Sequence, residues 1–213
     1  WVKKTSEPFE AARRVTAETK RPIPGFFWTR DSRLILYVKD NDGDENFNVW
    51  AVDPAAAKAE TKDVPPSRNL ADAKGVRAFI YAVPKKSPDT IYIGLNDRDA
   101  AWHDVYRVAI STGKRELVRK NTDRIAGWLF DLEGQLRLAV RTTDKGDTEV
   151  LKVLPEGFQT VYSCSVFETC GPDRFHKDGK RVYLETNKGD VDLTRFVLFD
   201  PETGKEGVGE PDP

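Results

Sequence analysis

An acidic run between two apolar segments is the part of the sequence whose residue types come closest to a metal site. Residues 40–46 read Asp-Asn-Asp-Gly-Asp-Glu-Asn, and alternating carboxylates of this kind supply the oxygen ligands that Ca²⁺ takes. The calcium candidates are Asp40, Asp42, Asp44 and Glu45. A complete EF-hand loop would place Glu at its twelfth position, where this chain has Ala51.

Comparable polar turns recur further along the chain, which favours a structural interpretation of the acidic run. They lie at 97–99, 144–147 and 188–192, and each contains Asp. Asp, Asn and Gly are the residues that β-hairpin turns use to adopt left-handed backbone conformations. The sequence therefore predicts hairpin turns at these places and no metal site.

The two cysteines, Cys164 and Cys170, are separated by five residues, and this spacing leaves two states open. The first expectation is a pair of reduced, partly buried thiols. The alternative is a disulfide that closes a small loop. A zinc site formed with His176 is disfavoured, because only three ligands would be available at an unfamiliar spacing.

The sequence contains no signature of catalysis or of cofactor binding. It lacks the G-x-S-x-G nucleophile elbow, the phosphate-binding G-x-x-x-x-G-K-[ST] loop, the dinucleotide-binding G-x-G-x-x-G and the zinc-binding H-E-x-x-H. His103 and His176 fall in predicted turns, where solvated side chains are expected. We therefore expect no catalytic residue, no cofactor and no metal in this chain.

Internal repeats carry most of the information about the elements that position these residues. Three segments align without a gap, each with an aromatic residue, a polar turn and a strand, and they begin at Trp28, Phe130 and Phe175. A looser copy covers 83–93. The units recur about every 49 residues with about four short strands each, which is typical of β-propeller blades. Tandem immunoglobulin-like sandwiches are disfavoured because the Cys…Trp…Cys pattern is missing.

The predicted fold class is all-β, a partial β-propeller with about four four-stranded blades plus a half blade at the N-terminus. Residues 1–19 are interpreted as trailing strands of a truncated blade, because Trp1-Val2-Lys3 matches Trp50-Ala51-Val52 one period later. The blades are expected near 20–66, 67–120, 121–166 and 167–213. A short helix is expected at 55–62, and the tail 204–213 is expected to fray. Repeat-equivalent aromatic residues are expected in the core: Trp28, Trp50, Tyr106, Phe130, Phe175 and Phe196.

Composition limits the classes of partner. The chain has 34 Lys and Arg against 35 Asp and Glu, a formal net charge of −1, without the basic excess of a nucleic-acid binder. No apolar run approaches the roughly 20 residues of a membrane-spanning helix. The chain begins with Trp1 and contains no Met, so we expect that its front part is missing. Its compartment, bacterial cytoplasm or periplasm, is left open.

Several segments taken together resemble a known family. They are Phe-Trp-Thr-Arg-Asp at 27–31, the acidic run through Phe47, Trp-Ala-Val-Asp at 50–53, Phe-His-Lys-Asp-Gly-Lys at 175–180 and Leu-Phe-Asp-Pro-Glu-Thr-Gly at 198–204. In this combination the chain resembles the N-terminal propeller of prolyl oligopeptidase-family serine peptidases. The nearest branch is the dipeptidyl aminopeptidase/acylaminoacyl peptidase type of bacteria.

This resemblance implies a non-catalytic segment of a peptide hydrolase. In that family the propeller sits over a C-terminal α/β-hydrolase domain and admits peptides while excluding folded proteins. The implied partners are that hydrolase domain and peptide substrates, and no catalytic residue of the family falls on a position of this chain. The alternative is a stand-alone β-propeller protein-interaction module. Apart from the resemblance, open apolar blade faces predict self-association of the chain.

Overall fold

Antiparallel β-strands dominate the computed structural model, which describes residues 1–60, 62–189 and 192–208. Among these residues the helical element is a 3₁₀ turn at Phe9–Ala11. No helix in the described part is long and apolar enough to cross a membrane. The strands form four sheets of four strands each, so the predicted all-β, partial β-propeller fold is confirmed.

Two blades lie in the unit Trp1–Lys120. The first consists of β1 (Gly25–Trp28), β2 (Ile35–Lys39), β3 (Asn48–Val52) and β4 (Ser67–Asn69). The second consists of β5 (Ala78–Ala82), β6 (Thr90–Asp99), β7 (Trp102–Ala109) and β8 (Arg115–Arg119). Each strand pairs with the next one in the sequence, so each blade is a simple meander.

Two further blades lie in the unit Asn121–Pro213. The third consists of β9 (Ile125–Phe130), β10 (Leu136–Thr142), β11 (Thr148–Val153) and β12 (Phe158–Cys164). The fourth consists of β13 (Cys170–Phe175), β14 (Val182–Thr186), β15 (Arg195–Asp200) and β16 (Lys205–Val208). Both blades have the same meander topology as the first two.

Aspartates at the inner hairpin explain why the chain turns where the repeats predict. Asp31, Asp131 and Asp178 each accept, through Oδ1, the backbone N–H two residues further on, over 3.2, 3.0 and 2.9 Å. Such side chain–backbone bonds define Asx turns. In two of these turns the following glycine, Gly134 or Gly179, has a φ of 79° or 69°. The central strands β2, β10 and β14 begin directly after these turns.

Apolar side chains on the central strands form a core between the two blades of each unit. Because a central strand is covered on both faces, its residues are apolar in nearly continuous runs. The core of unit Trp1–Lys120 joins buried residues of both blades, among them Leu36, Val49, Ile91 and Ile93. The core of unit Asn121–Pro213 does the same with Leu138, Val150, Leu184 and Phe199.

The connection between the first two blades differs from its prediction. The boundary predicted at residue 66 falls before β4, which pairs with β3 and so belongs to the first blade. The helix expected at 55–62 is absent from the described residues of that segment, and Thr61 lies outside them. Isolated turns take its place, such as the one closed by the 3.2 Å bond from the Ala56 N–H to the Asp53 carbonyl.

Both ends of the chain also differ in part from their predictions. Val2 and Arg13 form a single antiparallel bridge where trailing strands are expected within 1–19. At the other end, Lys205–Val208 forms β16 instead of fraying, and residues 209–213 lie outside the described residues. Positions 190 and 191, which belong to the turn predicted at 188–192, also lie outside the described residues.

Burial of the repeat-equivalent aromatic residues is uneven. Phe130 and Phe175 are buried, whereas Trp50 and Tyr106 are half-buried. Trp28 and Phe196 are exposed, so the expectation of a core position was wrong for these two. The repeat alignment gives the place of a residue on its strand, but burial also depends on what packs against that face.

Candidate functional site

The acidic hairpin between β2 and β3 is held by one of its own side chains. Asp44 Oδ1 accepts the backbone N–H groups of Asn41 and Asn46, over 3.1 and 3.0 Å. These bonds, that of Asn41 first, lower the pKa of Asp44. Left-handed backbone conformations complete the turn at Asp42, Gly43 and Glu45, whose φ values are 56°, 98° and 57°.

The carboxylates of this hairpin face different partners and do not converge. Asp40 is buried, with Oδ2 3.8 Å from the guanidinium of Arg21. The carboxylate of Asp42 instead pairs with the ammonium of Lys20 at 2.8 Å. Within the described ranges, no group of three or more His, Cys, Asp or Glu side chains could hold a metal ion. The geometry is that of a hairpin turn.

A disulfide joins Cys164 to Cys170, with a Cα–Cα distance of 6.1 Å. The reduced thiols of the first expectation are therefore not what the structure contains. The bond connects the end of β12, the outer strand of the third blade, to the start of β13, the inner strand of the fourth. Both cysteines lie in the core between these blades.

The loop between the two cysteines is fixed by Glu168. Its Oε2 accepts the backbone N–H and the hydroxyl of Ser165, over 2.8 and 3.0 Å, and its Oε1 accepts the Gly189 N–H over 3.0 Å. These bonds, that of Gly189 first, lower the pKa of Glu168. Phe167 at the tip is 93% exposed. The loop is thus a preformed projection that presents an aromatic ring to solvent.

Neither histidine is the solvated turn residue that the sequence predicts. His103 lies within β7, half-buried, with its ring centroid 4.6 Å from that of Phe79. Burial, and then the charge of Arg77, lower the pKa of His103. His176 does open the turn after β13, but its side chain is buried, with Nδ1 3.0 Å from Asp178 Oδ2.

Asp178 is the centre of a small charged cluster at this turn. Arg181 Nε donates to its Oδ2 over 2.6 Å, beside the contact with His176. Burial raises the pKa of Asp178, but the backbone N–H groups of Arg181 and Lys180 and both neighbouring side chains outweigh burial and hold it well below its usual range. Asp178 is therefore an ionised clamp of the β13–β14 turn.

The principal cleft of the unit Trp1–Lys120 has a volume of about 750 Å³. Its walls come from the turns that follow β1, β3, β5 and β7, which the meander topology brings to one end of the two blades. Its charged lining residues are Asp31, Arg33, Asp53, Arg68 and Asp89. Single charged residues in turns are usually only solvated, so no sequence signal pointed to this set.

Hydrogen bonds between the two blades and within the second blade fix one wall of the cleft. The guanidinium of Arg68, on β4, donates to the carbonyl of Ser111 in the second blade. The carboxylate of Asp89 accepts both the N–H and the hydroxyl of Ser111, each over 2.7 Å. The cleft is therefore a preformed polar groove of the size that small ligands and short peptide segments occupy.

A second cavity of the same unit, about 540 Å³ in volume, is apolar. It lies between the N-terminal segment and the face of the first blade that points away from the second. The lining includes Trp1, Val2, Phe26, Trp28, Ile35 and Tyr37. The sequence did carry a signal for it, since the truncated blade at 1–19 predicts an incompletely covered face.

Comparison with known proteins relates nearly the whole chain to one group of peptidases. The chain is 34% identical over 208 residues, 96% of its length, to dipeptidyl aminopeptidase BIII of Pseudoxanthomonas mexicana. It is 32% identical over 192 residues, 89% of its length, to dipeptidyl peptidase family member 6 of Caenorhabditis elegans. The chain is homologous to dipeptidyl peptidase-family proteins. The resemblance to dipeptidyl aminopeptidases stated from the sequence is thereby confirmed.

The homology to the dipeptidyl peptidase family concerns only part of these proteins. The chain spans 29% of the length of the Pseudoxanthomonas protein and 23% of the Caenorhabditis protein. No family model matches the chain. Among solved structures, TolB from Acinetobacter baumannii is similar with a TM-score of 0.54 at 14% identity, covering 88% of this chain and 43% of that one. At such low identity the similarity concerns the fold alone.

Proposed function

We propose that this chain is a non-catalytic β-propeller segment of a serine peptidase that gates the access of peptides to a separate α/β-hydrolase domain. The observation that carries the proposal is the 34% identity to a dipeptidyl aminopeptidase over 96% of the chain. The hydrolase domain supplies the nucleophile and the propeller restricts what reaches it. No residue of this chain takes part in the bond-breaking step.

The polar cleft supports such a filter by its size and its lining residues. A groove of about 750 Å³ can hold a few residues of an extended peptide. A folded domain of 100 residues, with a radius of gyration of about 13 Å, cannot enter it. Arg33 and Asp53 line the groove and can meet the carbonyl and N–H groups of an extended chain, while Asp89 and Ser111 keep the wall in place.

Two assays test the proposal. The isolated chain should not release chromophore from dipeptidyl or acyl-aminoacyl anilides, and turnover that copurifies with it would refute the non-catalytic role. In a chimera, this chain replaces the matching 208 residues of dipeptidyl aminopeptidase BIII. The chimera should retain dipeptidyl anilide hydrolysis. Arg33→Ala should then change kcat/KM for longer peptides without changing it for the anilide, and equal effects on both would contradict gating.

A second function, a stand-alone protein-interaction module, is favoured by the exposed aromatic side chains. Trp1, Phe26 and Trp28 of the first unit are all exposed, and large exposed apolar side chains grouped together usually mark contact sites. A binding module would work in the absence of a hydrolase domain. A chimera without dipeptidyl activity, together with specific binding of the isolated chain to a partner protein, would favour this function over the first.

A further inference from the structure

The charges that line the polar cleft between the first two blades are only partly paired. The cleft is lined by three aspartates and two arginines, so its formal charge is −1. The guanidinium of Arg68 donates to the carbonyls of Ile110 and Ser111. The carboxylate of Asp89 accepts the N–H and the hydroxyl of the same Ser111. Arg68 and Asp89 are therefore joined through one residue, and their opposite charges offset each other.

A second pair of opposite charges lies in the turn that follows β1. Asp31 Oδ1 accepts the hydroxyl of Thr29 over 2.7 Å and the backbone N–H of Arg33 over 3.2 Å. These bonds, that of Thr29 first, and the charge of the Arg33 side chain lower the pKa of Asp31. Because the carboxylate of Asp31 interacts with the guanidinium of its own turn, these two charges also offset each other.

Asp53 is the carboxylate of the cleft that lacks such a counter-charge. It follows β3 directly, and its Oδ1 accepts the backbone N–H of Ala55 over 2.7 Å, which fixes the side chain in its turn. In the part of the chain that the structure describes, no lysine or arginine forms an ion pair with this exposed carboxylate. Its Oδ2 is therefore open to a cationic group that enters the cleft.

The apolar part of the lining favours a cation that is carried on an apolar stem. This part consists of Leu34, Ala51, Ala56 and Pro66. A lysine side chain combines a hydrocarbon stem, which lies well on apolar surface, with an ammonium group that stays at the polar rim. Arginine is less suited, because its guanidinium binds best to two free carboxylate oxygens and Oδ1 of Asp53 already accepts the Ala55 N–H.

We propose that the polar cleft prefers peptides that carry a lysine side chain, with the ammonium paired to Asp53 and the stem on the apolar lining. The inference rests on the proposed function, in which this cleft holds an extended peptide, and it adds a substrate class to that function. Asp53 is then the residue that determines the preference. Because the ion pair is exposed to solvent, the preference should be modest, about threefold in affinity.

The test is an NMR titration of the isotope-labelled 213-residue chain with short alanine peptides that differ only in their central residue. That residue is lysine, acetyl-lysine, arginine or glutamate, and both peptide ends are blocked so that no terminal charge contributes. The lysine peptide should shift the amide signals of Asp53, Ala56 and Ser111. At about 50 mM NaCl it should bind about threefold more tightly than the acetyl-lysine peptide, which keeps the stem but lacks the charge.

Two variants assign the preference to one carboxylate. Asp53→Asn keeps an acceptor for the Ala55 N–H but loses the charge, so it should bind the lysine and acetyl-lysine peptides equally. The matched control is Glu45→Gln, which removes an exposed carboxylate of the same unit outside the cleft and should keep the preference. Far-UV circular dichroism establishes that each variant is folded. If Asp53→Asn does not fold, the lysine and acetyl-lysine peptides on the wild-type chain decide the question.

Three results would overturn the proposed preference. They are equal affinities of the wild-type chain for the lysine and acetyl-lysine peptides, a preference that survives in Asp53→Asn, and tighter binding of the arginine peptide than of the lysine peptide. In each of these cases peptides still bind in the cleft, so the proposed gating would stand. If no peptide shifts the signals of residues that line the cleft, the gating function fails together with the preference.

Discussion

Single carboxylates stabilise the hairpin turns in two ways, by accepting backbone N–H groups and by pairing with charged side chains. Asp178 makes both kinds of contact. Its Oδ1 accepts the N–H groups of Lys180 and Arg181, over 2.9 and 3.0 Å, which shapes the turn. Its Oδ2 meets Arg181 and His176, which stabilises the ionised form. An amide in place of the carboxylate would keep an acceptor for the turn but lose the charge. The two contributions are therefore separable by substitution.

Asp178→Asn should destabilise the chain at neutral pH by about 1 kcal/mol, because a charge-assisted bond becomes a neutral one. The folded-state pKa of Asp178 lies below its ordinary value, so the stabilisation is present above about pH 4 and is lost as the pH falls through the folded-state pKa. The difference in urea midpoint between wild type and variant should accordingly shrink towards low pH. Asp173→Asn, at an exposed position, is the control. A difference that is the same at pH 7 and pH 3 would contradict this account.

The Cys164–Cys170 disulfide closes a short loop, and the length of that loop sets how much it should add to the free energy of unfolding. With a sequence separation of 6, restriction of the unfolded chain is worth about 2 kcal/mol. Cys164→Ala/Cys170→Ala should lower the free energy of unfolding by that amount in urea titrations. Reduction of the unfolded wild type followed by alkylation should destabilise it comparably. Phe167→Ala, at the exposed tip of the same loop, serves as control, and an unchanged midpoint of the double variant would refute the contribution.

At the scale of elements, a β-bulge and a glycine act together in the second blade. The register of β5 on β6 shifts between Ile80 and Ala82, so Tyr81 is the extra residue of the bulge. Its ring lies over Gly94 of β6, where a Cβ would come within 2.5 Å of the ring. Burial raises the pKa of Tyr81. Glycine in a strand interior is therefore required here by the close approach of a side chain.

Gly94→Ala should destabilise the chain by about 1–3 kcal/mol, because the added methyl group displaces the Tyr81 ring. The matched control is Gly127→Ala on β9, where the nearest atom, Val140 Cβ, is 3.9 Å from the added Cβ and the change should be neutral or slightly stabilising. In a double-mutant cycle, Tyr81→Ala should relieve most of the cost of Gly94→Ala. Additive effects in urea unfolding would contradict the proposed contact.

The connections between successive blades are fixed by different contacts: apolar burial, a disulfide, and side chain–backbone hydrogen bonds. Leu70 and Val76 join the core of the first unit, whereas Cys164 and Cys170 are linked covalently in the second. Asn121 pairs through its side chain with the backbone N–H and carbonyl of Ile125, over 2.9 and 2.7 Å. Each of these contacts fixes the segment that leads into the inner strand of the next blade, β5, β9 or β13.

Repetition explains which parts of this fold could be predicted from the sequence. Asp31 and Asp178 recur at the same place in their units, and Asp131, two positions earlier in the alignment, forms the equivalent Asx turn, so the strands that follow were correctly located. The same alignment could not predict the exposure of Trp28, because exposure depends on what covers that face.

Other features depend on contacts distant in sequence and had no local signal. His176 lies in a polar turn but is buried, with its ring centroid 5.7 Å from that of Tyr183. The charged lining of the cleft is assembled from three separate turns and strand β4, so Arg33 and Asp89 look like ordinary solvated residues in the sequence. The short helix expected at 55–62 is likewise absent from the described residues of that segment, which form turns.

For the whole molecule, homology supports the proposed role and the polar cleft gives that role a surface. The chain aligns with 29% of the length of a dipeptidyl aminopeptidase. The proposed gating of peptides uses the polar cleft of the unit Trp1–Lys120, so variants of the residues that line the cleft test it.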